Sequence, residues 1–195
     1  MNGFEITMTL DEVTPLTQRQ LIIPGDITFK NLHEIISLVF NLSENNKYKF
    51  VFDDLNIEIM NTTRLNRDIV DSRYEKIDKY LEAYEKLVYI NDFWNISIEV
   101  HETVYDKKYP LLVSYKGFYN PLSEIKSVNE FSQLLELKKN IDEAKDDERK
   151  IISNFHRINK LKLQKNLMFL FNVPYKVNNH RIIEINKENT LDDLL

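Results

Sequence analysis

Phe4-Glu5-Ile6-Thr7-Met8-Thr9-Leu10 alternates apolar and polar side chains from end to end. A period of two is the imprint of a β-strand with one face buried and the other wet. Asp11 to Pro15 supplies turn residues, and Leu16 to Ile23 reads as a second strand that stops at Pro24-Gly25-Asp26, where the chain must change direction. The two strands predict a hairpin with a long loop. Beyond Thr28, a candidate cap, Leu32, Ile35, Ile36, Val39 and Phe40 recur at spacings of three and four and so share one helical face. That helix, near residues 29–41, is expected to pack on the hairpin.

Working outward, Tyr48, Phe50 and Phe52 alternate with Lys47, Lys49 and Val51, and Leu55 to Met60 is another short apolar stretch. Two more strands are expected there, their pairing unassigned. Ser72-Arg73-Tyr74-Glu75 has the form of a capping box, and Tyr74, Ile77, Leu81, Tyr84 and Val88 follow at helical spacing, which predicts a helix over residues 72–87. Trp94, Ile96, Ile98 and Val100 alternate with Asn95, Ser97, Glu99 and His101, the clearest strand pattern in the chain and one expected at the centre of a sheet. Leu111, Val113 and Tyr115 predict a further strand. Gly117 and Asn120-Pro121 mark turns before Ser127-Val128-Asn129-Glu130, a second capping box, opens a helix over residues 127–138.

Charge changes character after this point. Ile141 to Lys150 is dominated by charged residues and reads as a solvated helix face or a linker, whereas Arg149 to Ile183 holds eight basic residues and no acidic one. Arg157 to Phe171 is expected to be a helix with Leu163, Leu167, Leu170 and Phe171 on one face, and Asn178-Asn179 a turn between strands. The fold class expected is α+β: a mixed or antiparallel sheet with packed helices over residues 1–138. Residues 139–195 are expected to form a basic, mainly helical extension, separate or within the same domain.

Composition removes several function classes. Without cysteine there is no disulfide framework, thiolate zinc site or cysteine nucleophile, and a reducing cytoplasm is the expected setting. Met1-Asn2-Gly3-Phe4-Glu5 lacks the basic start of a signal peptide. No apolar run approaches the roughly 20 residues of a spanning helix, so no membrane partner is expected. Gly3, Gly25 and Gly117 are too isolated to cradle a phosphate. The four histidines are scattered, so neither a metal nor a cofactor is expected; His33, near Phe29 and Phe40, and His101, beside Glu99, read as ordinary hydrogen-bonded histidines. Asp53-Asp54 and Asp92 offer carboxylates for acid/base chemistry, but aspartate at strand ends is first a turn former. Tyr105, Tyr109, Tyr115, Phe118 and Tyr119 crowd one segment, more economically as core and hairpin packing than as an interface.

The run Pro15, Arg19, Pro24-Gly25-Asp26, Leu32-His33, Tyr89-Ile90-Asn91-Asp92-Phe93-Trp94, Tyr109-Pro110 and Pro121 resembles the Ri-plasmid third-open-reading-frame-like family, also described as transposon passenger proteins. The similarity spans residues 4–137. Of the family's Tyr-x-Tyr-Asp-Phe-Gly-Asp-x-Trp block, Tyr89, Asp92, Phe93 and Trp94 remain and the Gly-Asp pair is deleted. Of its Pro-Pro-Glu-Asp block, Pro121 and Glu124 remain. The resemblance implies an α+β fold and a plasmid, phage or transposon setting, without a biochemical role.

Three functional readings follow from the residues. The first is a non-enzymatic protein whose partner is another protein, a second copy of itself included. The second is nucleic-acid binding through Arg157, Lys160, Lys162 and Lys165. The third is an enzyme with an acidic site near Asp92.

Overall fold

The computed structural model describes residues 2–42, 47–52, 55–64, 66–119, 125–173, 175–178 and 181–184. Strand β1 (Asn2–Leu10) buries Phe4, Ile6, Met8 and Leu10 and turns Glu5, Thr7 and Thr9 the other way, as the alternation requires. The chain adds β2 (Gln18–Pro24), β3 (Tyr48–Phe52), β4 (Leu55–Met60), β5 (Ile69–Asp71), β6 (Lys86–Asn91), β7 (Trp94–Val104) and β8 (Leu111–Lys116). These eight strands form one sheet in the order β5-β4-β3-β6-β7-β1-β2-β8. Only β4 and β5 pair in parallel, so the sheet is mixed and the fold is α+β. β7 lies centrally between β1 and β6, and the expected hairpin is the β1–β2 pair.

One face of the sheet carries the core. Helix α1 (Phe29–Phe40) lies against it, with Phe29 meeting Phe50 at 5.0 Å and Phe52 at 6.2 Å between ring centres. Each such aromatic or aliphatic side chain contributes about 1.5–3 kcal/mol by leaving water. Thr28 caps the helix: its hydroxyl accepts from Asn31 N, and Thr28 N donates to Asn31 Oδ1. Asn41, at φ 52°, ends it in the left-handed conformation.

The predicted helix over residues 72–87 does not form. Only Asp78–Leu81 is helical (α2), and Lys86–Asn91 is strand β6. The reason lies in where the backbone carbonyls go. Phe29 N donates to Glu75 O and Lys30 N to Ser72 O, while Ile77 N donates to Ile27 O, so this segment satisfies the amino-terminal turn of α1 instead of coiling on itself. The capping serine is occupied elsewhere, for Ser72 Oγ lies 2.8 Å from Tyr48 Oη in the core. Tyr74, placed on the expected buried stripe, is 78% exposed.

Three further helices close one end and one edge. α3 (Val128–Leu137) starts at Ser127, whose hydroxyl accepts from Glu130 N, and its Phe131 packs edge-on against Trp94 and against Phe155, which follows α4 (Asp146–Ser153). α5 (Lys160–Leu170) buries Leu163, Gln164, Leu167 and Met168, so its inward face is rotated from the predicted one and Leu170 and Phe171 are only half-buried. Leu163 and Leu167 join the same core as β1 and α1. Beyond α5, β9 (Tyr175–Asn178) and β10 (Arg181–Glu184) pair antiparallel.

Two polar side chains join these parts. Gln164, 8% exposed, donates through Nε2 to Pro110 O (2.8 Å) and accepts at Oε1 from Leu112 N (2.9 Å). The carboxamide stands in for the neighbouring strand that β8 lacks, and Lys160 Nζ adds a bond to Val113 O. Arg19, 0% exposed, has no carboxylate partner among the described residues; its guanidinium donates to the carbonyls of Val39, Gln18, Lys116 and Phe118.

Replacing Gln164 with Leu leaves the Pro110 carbonyl and Leu112 amide unpaired, and a loss of about 2 kcal/mol is expected in urea unfolding. Arg19→Met strands four carbonyls, so its loss should exceed that of Gln164→Leu and reach at least about 3 kcal/mol.

Candidate functional site

One side of α1 forms a wall of a cleft of about 660 Å³. Lys30, His33, Glu34, Ser37 and Leu38 line that wall, and Asn166, Phe169 and Leu170 of α5 line the opposite one. Tyr48 and Asn61 complete the lining on the sheet side, and Tyr119 where the chain has left β8. The lining is chiefly amide, aromatic and aliphatic. Its two charges, Lys30 and Glu34, pair with each other at 3.4 Å.

His33 sits at the base, 7% exposed and stacked on Tyr48 with ring centres 3.6 Å apart. Its Nδ1 is 2.7 Å from Tyr89 Oη, and Asn91 Nδ2 donates to that same hydroxyl at 2.8 Å. Nδ1 and the phenol share one proton, and Ser37 Oγ lies 3.5 Å from the same nitrogen; with the proton on the phenol, the imidazole proton lies on Nε2. Among the described residues Nε2 has no partner. Burial, helped by the nearby Lys30 ammonium, lowers the imidazole to about 4, and burial raises Tyr89 well above the ordinary phenol. At neutral pH both rings are uncharged.

The residues singled out in the sequence divide by location. Tyr89 belongs to this cluster, while Trp94 is buried against Phe131 and meets the tilted Phe93 ring at 4.7 Å. Asp92 and Phe93 are the two residues between the paired Asn91 and Trp94, and Asp92, exposed at the tip, adopts φ 57° as a tight hairpin demands. Among the described residues no group of three or more potential metal ligands comes together. Asp53, Asp54, Pro121, Glu124 and Asn179 lie outside the described residues. Tyr105 and Tyr109 are buried, with Tyr105 Oη donating to Tyr109 O, and Tyr119 Oη donates to Leu38 O.

Of the four basic candidates, Arg157 precedes α5 and is exposed, and Lys160 turns to β8. Lys162 and Lys165 follow helical spacing to Asn166 and Phe169, so they share the face that borders the cleft. The cleft itself went unread in the sequence. Its one visible signal was His33 directly after Leu32 on an otherwise apolar helix face.

The depressed His33 value fixes a pH dependence. Unfolded, the imidazole takes a proton near its ordinary value of about 6.5; folded, it does so only near 4, so falling pH favours the unfolded chain across that window. The melting temperature should therefore drop from pH 7 to pH 5 more steeply in the native protein than in His33→Gln.

No helix among the described residues is long and apolar enough to cross a membrane. No curated protein matches the chain. Among solved structures, a protein of unknown function, MM3350 from Methanosarcina mazei Go1, shares the fold with a TM-score of 0.62 at 19% identity, over 75% of this chain and 86% of that one. The family model described as plasmid pRiA4b ORF-3-like protein matches residues 2–162, which takes in the sheet, α1 and the His33 cluster. The chain belongs to the plasmid pRiA4b ORF-3-like family.

Proposed function

We propose that this protein is a non-enzymatic binding protein of a plasmid-type element, acting in the cytoplasm by docking another protein in the cleft between α1 and α5. The observation that carries the reading is Phe169, 75% exposed on the cleft wall beside an amide-rich lining. An aromatic ring left in water at the mouth of a concave, largely uncharged surface is what a protein interface covers. The chemistry beneath it supports binding over catalysis. A histidine that stays neutral down to about pH 4 is a weak base, and a phenol raised by burial keeps its proton, so the pair holds hydrogen bonds rather than moving protons. Asp92, alone at a hairpin tip, has no second described carboxylate bonded to it.

One observation favours a second reading. Lys162 and Lys165 share a helical face with Phe169, and a cation track beside a stacking platform is how single-stranded nucleic acid is held.

A photo-crosslinking residue at position 169, expressed in the native host, should yield a discrete protein adduct, and the same residue at Glu82 should not. Adducts that contain nucleic acid, with binding in a mobility shift that weakens steeply between 50 and 200 mM salt, on the order of those used for phosphate-dominated complexes, would favour the second reading instead.

A further inference from the structure

We infer that His33 carries its proton on Nε2 and that the base of the cleft there accepts an uncharged amide carbonyl, from a polypeptide backbone or an Asn or Gln side chain. This deepens the proposed docking function and rests on it for the identity of the partner. The geometry gives the ring one open polar position. Its face is covered by Tyr48 at 3.6 Å, and its Nδ1 is taken by Tyr89 at 2.7 Å. Tyr89 is in turn held by Asn91 at 2.8 Å, so the ring on α1 is fixed by three residues on two strands, Tyr48 of β3 and Tyr89 and Asn91 of β6.

Charge and shape select the acceptor. A carboxylate or phosphate at the base would lose water with no unpaired cation among the described lining residues, since His33 is neutral and Lys30 is already paired with Glu34. An amide carbonyl loses far less on desolvation and recovers it in one hydrogen bond. Asn61 and Asn166 on the walls supply carboxamides that can both donate to and accept from a second amide. Leu38, Leu170 and Phe169 give an adjoining side chain an apolar surface.

The test is an NMR titration of the full chain, labelled with nitrogen-15, against three probes: N-acetyl-phenylalaninamide, the free acid N-acetyl-phenylalanine, and uridine. The amide should move the His33 Nε2 resonance and the Asn61 and Asn166 side-chain signals, and the free acid should bind roughly ten-fold more weakly. His33→Phe should abolish the response; if that variant does not fold, the native Nε2 resonance still decides. Equal binding of amide and acid, a response to uridine alone, or an unmoved Nε2 signal at millimolar amide overturns the assignment. Crosslinking from position 169 separates the two claims. A protein adduct with no amide response removes this inference and leaves the docking function, whereas an amide response with no protein adduct does the reverse.

Discussion

A buried guanidinium fixes the geometry of this molecule. Arg19 has no carboxylate among the described residues to neutralise it, and burial lowers it only to about 10, so it is a cation at neutral pH. It is held by carbonyl dipoles from Val39, Gln18, Lys116 and Phe118, and by the Phe40 ring 4.9 Å beneath it. Val39 and Phe40 form the last turn of α1, the negative end of the helix dipole, where a cation is favoured. A single side chain therefore ties the β2–β8 edge of the sheet to the carboxy end of the helix. A lysine has too few donors, in the wrong geometry, to replace it.

The other end of α1 is held with equal definition. Its first amides donate to Ser72 and Glu75 carbonyls, and near its last turn the Leu38 carbonyl accepts from Tyr119. Groups left unsatisfied at helix ends usually go to water. Here they are bonded to segments distant in sequence, which gives the cleft a wall whose position is fixed from both ends. The opposite wall is fixed through Gln164, whose carboxamide holds α5 to β8.

Legibility in the sequence followed the range of the interactions involved. β1, α1 and β7 could be read directly, because period two and period 3.6 record a buried face residue by residue. Residues 72–87 misled for the same reason that makes them informative. Ser72 and Glu75 have capping-box spacing, but their carbonyls go to α1 and the Ser72 hydroxyl goes to Tyr48, neither of which is near in sequence. The rotation of α5 had a similar cause. Gln164 is a polar residue outside the apolar spacing, and it is buried because β8 presents two backbone groups to it. Lys160 read as part of a phosphate-binding set and lies instead against the same strand. Tyr89 and His33 were both visible, but their 56-residue separation hid the contact that makes a site.

The direction of the hydrogen bonds at that site depends on a residue with no direct access to the cleft. Asn91 is buried, and its Oδ1 has no hydrogen-bond partner among the described residues, a cost of about 1–3 kcal/mol. Turning the amide around would not relieve it, because an NH₂ group with two donors would then occupy the empty position and the oxygen would face the phenol. The phenol proton would point to Asn91, His33 would have to donate through Nδ1, and Nε2 would become an acceptor. With Nδ2 on the phenol oxygen, the phenol proton is available to His33, which is the arrangement the inferred Nε2 donor rests on. An apolar residue at position 91 would leave the sign of that polar group undetermined. The hairpin that follows serves the same end. A two-residue turn at Asp92-Phe93 keeps Asn91 in register with Trp94 at the end of the ladder, where a longer loop would let it fray.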